Sequence, residues 1–80
     1  MENSSEKVTE GTWFEVVNDS YYMLQNNGAN TVLVKASEEE PTNESGSFRL
    51  ENGGVITSFM LTGRIWATAA DKSSVITYAK

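Results

Sequence analysis

Apolar and polar positions along this chain alternate in short bursts and do not recur at helical spacing. From Thr12 onward, segments rich in Val, Ile, Thr, Phe, Tyr and Trp are separated by clusters of Gly, Asn, Asp and Ser. That is the composition of strands and turns. The pattern predicts seven strands, over 12–17, 20–26, 31–36, 47–50, 55–61, 64–69 and 74–79. No window sustains an i, i+3, i+4, i+7 apolar stripe for the ~10–12 residues of a helix. The segment from Val16 to Leu24 comes nearest, but Asn18-Asp19-Ser20 interrupts it.

The connections carry their own signals. Asn18-Asp19 offers a turn or bend, and Asn27-Gly28-Ala29-Asn30 predicts that the second and third strands form a hairpin. Glu51-Asn52-Gly53-Gly54 is the strongest turn signal, and Thr62-Gly63 suits a hairpin. The stretch Ser37–Gly46 is acidic, holds the only proline and has little to bury. It is expected to be an exposed, mobile loop. Short strands with regular turn signals imply an all-β fold, an antiparallel sandwich or small barrel. Alternation proposes a core of Tyr22, Leu24, Val32, Val34, Phe48, Leu50, Ile56, Ile65, Val75 and Thr77.

Residues 1–11 are polar and acidic, with Val8 the only apolar side chain after Met1. Such a segment buries too little to offset its ordering entropy, so a flexible N-terminal arm is expected ahead of one domain over 12–80. An 80-residue chain makes a thin core. With no cysteine to staple it, oligomerisation is the remaining device. Six basic against eleven acidic residues give a net charge of -5, which weighs against nucleic acid and anionic membranes as partners. The start lacks the basic and apolar regions of a signal peptide, so synthesis in the cytoplasm without signal-directed secretion is expected.

Chemistry is sparse. Without His or Cys, the commonest base, nucleophile and metal ligands are missing, and no enzyme activity, metal or cofactor is expected. No hydroxyl sits in a Gly-x-Ser-x-Gly or Ser-x-x-Lys context. Glu38-Glu39-Glu40 would share one wet environment, unlike a catalytic carboxylate pair. The aromatic residues are a larger payload than a thin sandwich needs. Trp13 and Phe14 must point to opposite faces, as must Tyr21 and Tyr22. The fifth strand is apolar on both faces, with Ile56 and Met60 on one and Val55, Phe59 and Leu61 on the other. Either a bulge at Thr57-Ser58 folds both sets inward, or a subunit covers one of them. A sugar-stacking platform on Trp13, Tyr21 or Trp66 is a third possibility. Trp13, Phe14, Tyr21, Phe59, Leu61 and Trp66 are therefore the candidate interface residues.

The order of signals resembles a known group. Leu24-Gln25-Asn26-Asn27-Gly28 precedes Thr31-Val32-Leu33-Val34-Lys35. Gly46-Ser47-Phe48-Arg49-Leu50-Glu51-Asn52-Gly53-Gly54-Val55-Ile56 follows a polar loop, and Arg64-Ile65-Trp66-Ala67 and Ser74-Val75-Ile76-Thr77 close the chain. This cadence, over residues 20–79, is similar to that of small β-sandwich proteins of tailed-bacteriophage virions, including head decoration (cement) proteins and the bases of head fibres. The Glu38-Glu39-Glu40 run and the apolar Phe59-Met60-Leu61 depart from it. The resemblance implies a non-catalytic virion component, commonly a homotrimer on a capsid, with a terminal arm gripping the shell. Glu6, Lys7, Val8 and Thr9 would belong to that arm. Two other functions fit the residues: a carbohydrate- or peptide-binding module using Tyr21, Gln25 and Asn26, and an acidic inhibitor presenting residues 37–45.

Overall fold

A computed structural model of the chain describes residues 3–18 and 20–80. Among them are eight strands and no helix: β1 (Asn3–Thr9), β2 (Phe14–Asn18), β3 (Met23–Asn26), β4 (Val32–Ala36), β5 (Phe48–Leu50), β6 (Val55–Thr57), β7 (Arg64–Ala69) and β8 (Ser73–Ala79). They form two antiparallel four-stranded sheets, β1-β8-β3-β6 and β2-β7-β4-β5. The expected all-β sandwich is what forms, with one strand more than the pattern predicts.

The topology has a simple origin. β1 pairs with β8, β2 with β7, β3 with β6 and β4 with β5. The chain is thus one long antiparallel ribbon, rolled so that successive rungs fall alternately in the two sheets. That is the jelly roll, a double-sheet solution in which two Greek keys share one core. Only β4 and β5 are consecutive strands of the same sheet. The turns after β3 and β6, expected to close hairpins, instead carry the chain across the sandwich. A turn sequence sets a local reversal, but the apolar faces that must meet decide which sheet the next strand joins.

The core is built by Val8, Val16, Val17, Tyr22, Leu24, Val32, Val34, Leu50, Ile56, Ile65, Ala67, Ala69, Ile76 and Tyr78. Three expected core residues lie elsewhere. Val75 and Phe48 are exposed and Thr77 is half-buried. In β8 the inward row is Ser74, Ile76 and Tyr78, one residue out of step with the expectation, and a one-residue step exchanges the two faces. In β2 a register shift between Glu15 and Val17 lets Val16 and Val17 both turn inward.

The expected free arm is, in its described part, an edge strand. All seven residues of β1 pair with β8, from Asn3↔Ala79 to Thr9↔Ser73. One apolar residue suffices because Val8 is fully in the core while the ladder satisfies the backbone. Met1 and Glu2 lie outside the described residues, as does Asp19, on which the expected turn at Asn18-Asp19 rests.

The acidic segment 37–47 is also tethered. It folds back over the outer face of the β2-β7-β4-β5 sheet. Ser37 donates its N–H to the Arg64 carbonyl at 3.0 Å, and Trp66 donates its indole N–H to the Ser37 carbonyl at 2.9 Å. The Arg64 guanidinium donates to the Glu38 carbonyl, and Lys35 reaches the Asn43 carbonyl at 3.5 Å. Pro41 is buried, while Glu38, Glu39 and Glu40 remain exposed.

Candidate functional site

The surface feature that stands out is a ridge on the side of the sandwich where β5 and β6 are the two open edges. It begins with the sequence Thr57-Ser58-Phe59-Met60-Leu61. β6 stops at Thr57, and the backbone then tightens into a turn. Met60 and Leu61 donate their N–H groups to the Thr57 carbonyl at 2.9 and 3.1 Å, and Phe59 donates to Thr57 Oγ1 at 3.3 Å. The turn is anchored from below by Tyr22. Its carbonyl accepts from Ser58 N–H at 3.2 Å, and its hydroxyl donates to the Leu61 carbonyl at 2.7 Å. Tyr22 is buried, and burial pushes its phenol up to about 12, so the hydroxyl remains a donor far above neutral pH.

This bracing fixes the outcome for the two-faced strand. Neither set folds inward as a whole, and the strand does not continue. Leu61 packs on the core, whereas Phe59 and Met60 are held in solvent at 92% and 66% exposure. Tyr21 at 74% and Phe48 at 55% exposure extend the ridge, with Met23 and Val55 also exposed. Phe59 stands on one flank of the turn, above a cavity of 370 Å³ lined by Tyr21, Tyr22, Met23, Thr57, Ser58 and itself. Met60 stands on the other, over a groove of 210 Å³ between β5 and β6 that Phe48, Leu50, Val55, Ile56 and Leu61 also line. A third hollow, at Ser20, Tyr21, Ser58, Thr62 and Gly63, adjoins them. Among the described residues Arg49 is the only charged one lining any of the three.

The candidate interface residues separate on this geometry. Tyr21 and Phe59 come together on the ridge, and Leu61 lies half-buried beneath it. Phe14 does not join them, because it packs against the core with its ring 5.7 Å from that of Tyr78. Trp66 is buried under the 37–47 segment, with the Arg64 guanidinium 5.0 Å from its ring centre. It is covered by its own chain and is not available to a partner. Trp13 is half-buried just ahead of β2. Glu6, Lys7, Val8 and Thr9 lie in β1, where Val8 is buried in the core and the side chains of Glu6, Lys7 and Thr9 stay exposed.

Asn26 is likewise withdrawn from any sugar platform. It is fully buried and its amide is satisfied on both ends. The nitrogen donates to the Asn30 and Leu50 carbonyls at 2.9 and 2.7 Å, and the oxygen accepts from Gly28 N–H and Ser74 Oγ, both at 2.9 Å. The Asn26-Asn27-Gly28 motif is therefore a structural pin. Met23, Phe48, Val55 and Met60 join the ridge although they are not among the candidate interface residues. The apolar character of both faces of the 55–61 segment was the signal for Val55 and Met60.

No group of three or more His, Cys, Asp or Glu among the described residues is placed to hold a metal ion. Among the described residues the one ion pair with short geometry joins Arg64 Nε to Glu15 at 2.7 Å. It holds the Glu15 carboxyl below its ordinary value, chiefly through that hydrogen bond, and keeps Arg64 protonated. Comparison with known protein families, characterised proteins and solved structures finds no match to this chain.

Proposed function

We propose that this chain is a non-enzymatic structural component of a virion that works through protein–protein contacts, as a decoration or cement protein or as the base of a head fibre. The observation that carries this reading is the ridge. Large apolar side chains are held in water on a braced turn. Contiguous apolar surface of this kind marks an interaction site. Depletion of charge is the compositional mark of an interface centre, and among the described residues the hollows around the ridge are lined by Arg49 and no acid. The jelly roll supports the reading by analogy alone, since it recurs in viral coat proteins and also in lectins and cupins.

In this reading the chain acts as a homo-oligomer, a trimer being favoured, on a shell built of another protein. The test is sedimentation of the purified chain with a panel of expanded, undecorated heads of tailed bacteriophages. Saturable recovery in the pellet with at least one type of head is expected. A chain that stays in the supernatant with every head would remove the virion assignment.

A further inference from the structure

The ridge carries both halves of a contact, and we infer that its occupant is the ridge of a second copy of this chain, with Phe59 of one copy seated in the β5–β6 groove of its neighbour. This inference rests on the reading of the ridge as an assembly surface. Three observations select a second copy over an unrelated partner.

The first is shape. Phe59 is a ring at the tip of a turn pinned by Tyr22, so the backbone that presents it is braced before any partner arrives. The groove of 210 Å³ on the other flank of the same turn is lined by Leu50, Ile56, Leu61, Phe48, Val55 and Met60, with Arg49 its one charged lining residue among those described. It has the dimensions and the apolar lining for one aromatic side chain. A projecting ring and a receiving groove on one surface let two copies meet reciprocally, or several meet head to tail in a closed ring.

The second is area. The three exposed rings of the ridge, at ~150–250 Å² each when whole, contribute about 450 Å² at their observed exposures. Met23, Val55 and Met60 bring the ridge to about 700 Å², close to the ~800 Å² per partner of a standard interface. The third is charge. A molecule of net charge -5 repels its own copies over most of its surface, but among the described residues no acid lines the three hollows of this ridge. Two copies meeting there bring apolar surface against apolar surface.

The test is sedimentation velocity of the full chain over a wide concentration range. The set comprises the wild type, Phe59→Asp, Val55→Lys in the groove wall, and Val75→Thr on the outer face of β8, away from the ridge. The wild type and Val75→Thr are expected to associate reversibly. Each ridge variant should weaken association by about 30-fold or more, as loss of a hot-spot side chain does. Unchanged far-ultraviolet circular dichroism and thermal midpoint identify a folded variant. An equimolar mixture of Phe59→Asp and Val55→Lys should then recover a heterodimer, because one intact ring still meets one intact groove. A wild type that is monomeric at every concentration overturns the inference, as does association that Phe59→Asp leaves intact. A monomer that still pellets with phage heads would retain the virion reading and lose only this one. An oligomer that binds no head would do the reverse.

Discussion

At the scale of single residues, two close approaches decide much of the local structure. A Cβ added at Gly28 would lie 2.0 Å from Ser74 Oγ and 2.5 Å from the Val75 nitrogen. The backbone of β8 cannot withdraw without breaking the hydrogen bonds that hold Asn26. Gly28→Ala is therefore expected to destabilise the fold by about 1–3 kcal/mol, the range for overpacking, measured by urea denaturation. Alanine at nearby exposed Gly53 meets no neighbour, so any cost there comes from its positive φ of 85° alone. Tyr22 makes the second set of predictions. Tyr22→Phe keeps the buried ring and loses the bond to Leu61, at an expected cost of about 1 kcal/mol. The phenol ionises near 10 in the unfolded chain and about 12 in the folded one. The folded state holds this proton more tightly, so its contribution is fully present below pH ~10 and declines as pH rises toward 12. A pH series of thermal midpoints should show that decline in the wild type and less of it in Tyr22→Phe. Glu15 has the opposite sign. Its carboxyl is depressed by Arg64, so its contribution is present above the ordinary carboxylate range and is lost as pH falls below it. Glu15→Gln should flatten that acid limb and leave the alkaline one unchanged.

At the scale of elements, β1 and the 37–47 segment both read as loose polar chain and both are ordered by what they lie on. Val8 fills a core site beside β8, and the β1 ladder covers the sheet edge. A chain begun at Glu10 is expected to lose several kcal/mol or fail to fold, as edge pairing and the Val8 contact vanish together. A free arm would come away with no change in thermal midpoint. Over the other sheet, the 37–47 segment covers Trp66 and is held by Arg64 and Lys35. Replacing residues 39–45 with a short Gly-Ser link in a Trp13→Phe background is expected to shift the Trp66 emission to the red. It should cost about 1–3 kcal/mol, the value of a partly re-exposed large side chain. Emission unchanged from the Trp13→Phe parent would mean that Trp66 is protected by the sheet alone.

At the scale of the whole molecule, the rolled ribbon has a kinetic consequence. Except for β4–β5, every strand pair joins segments separated by at least one other strand, and β1 meets β8 only when both ends of the chain are in place. Loop-closure entropy is spent before those pairings return anything, which predicts folding in milliseconds to seconds for so short a chain. Stopped-flow fluorescence from either tryptophan measures this directly, and microsecond folding would contradict the topology as the limiting factor. The ridge is also a whole-molecule property, because β3, β5, β6 and the 58–61 turn converge there from distant parts of the sequence.

The sequence by itself determined the class of secondary structure, seven of the eight strand positions, half of the core and the absence of His and Cys. Those are written in period-two alternation and turn residues, which act over a few neighbours and need no partner strand. It also placed Tyr21 and Phe59 among the interface candidates, because a strand apolar on both faces cannot be satisfied by one core. The tertiary structure decided the rest. It recruited Asn3–Thr9 as a strand, since pairing with β8 supplies the burial that the segment lacks alone. It turned expected hairpins into crossings, shifted β8 by one residue, buried Trp66 under a segment of its own chain and withdrew Asn26 into the core. Each of these depends on what lies opposite a residue in space, and contacts between distant segments leave no periodic trace in the order of residues along one chain.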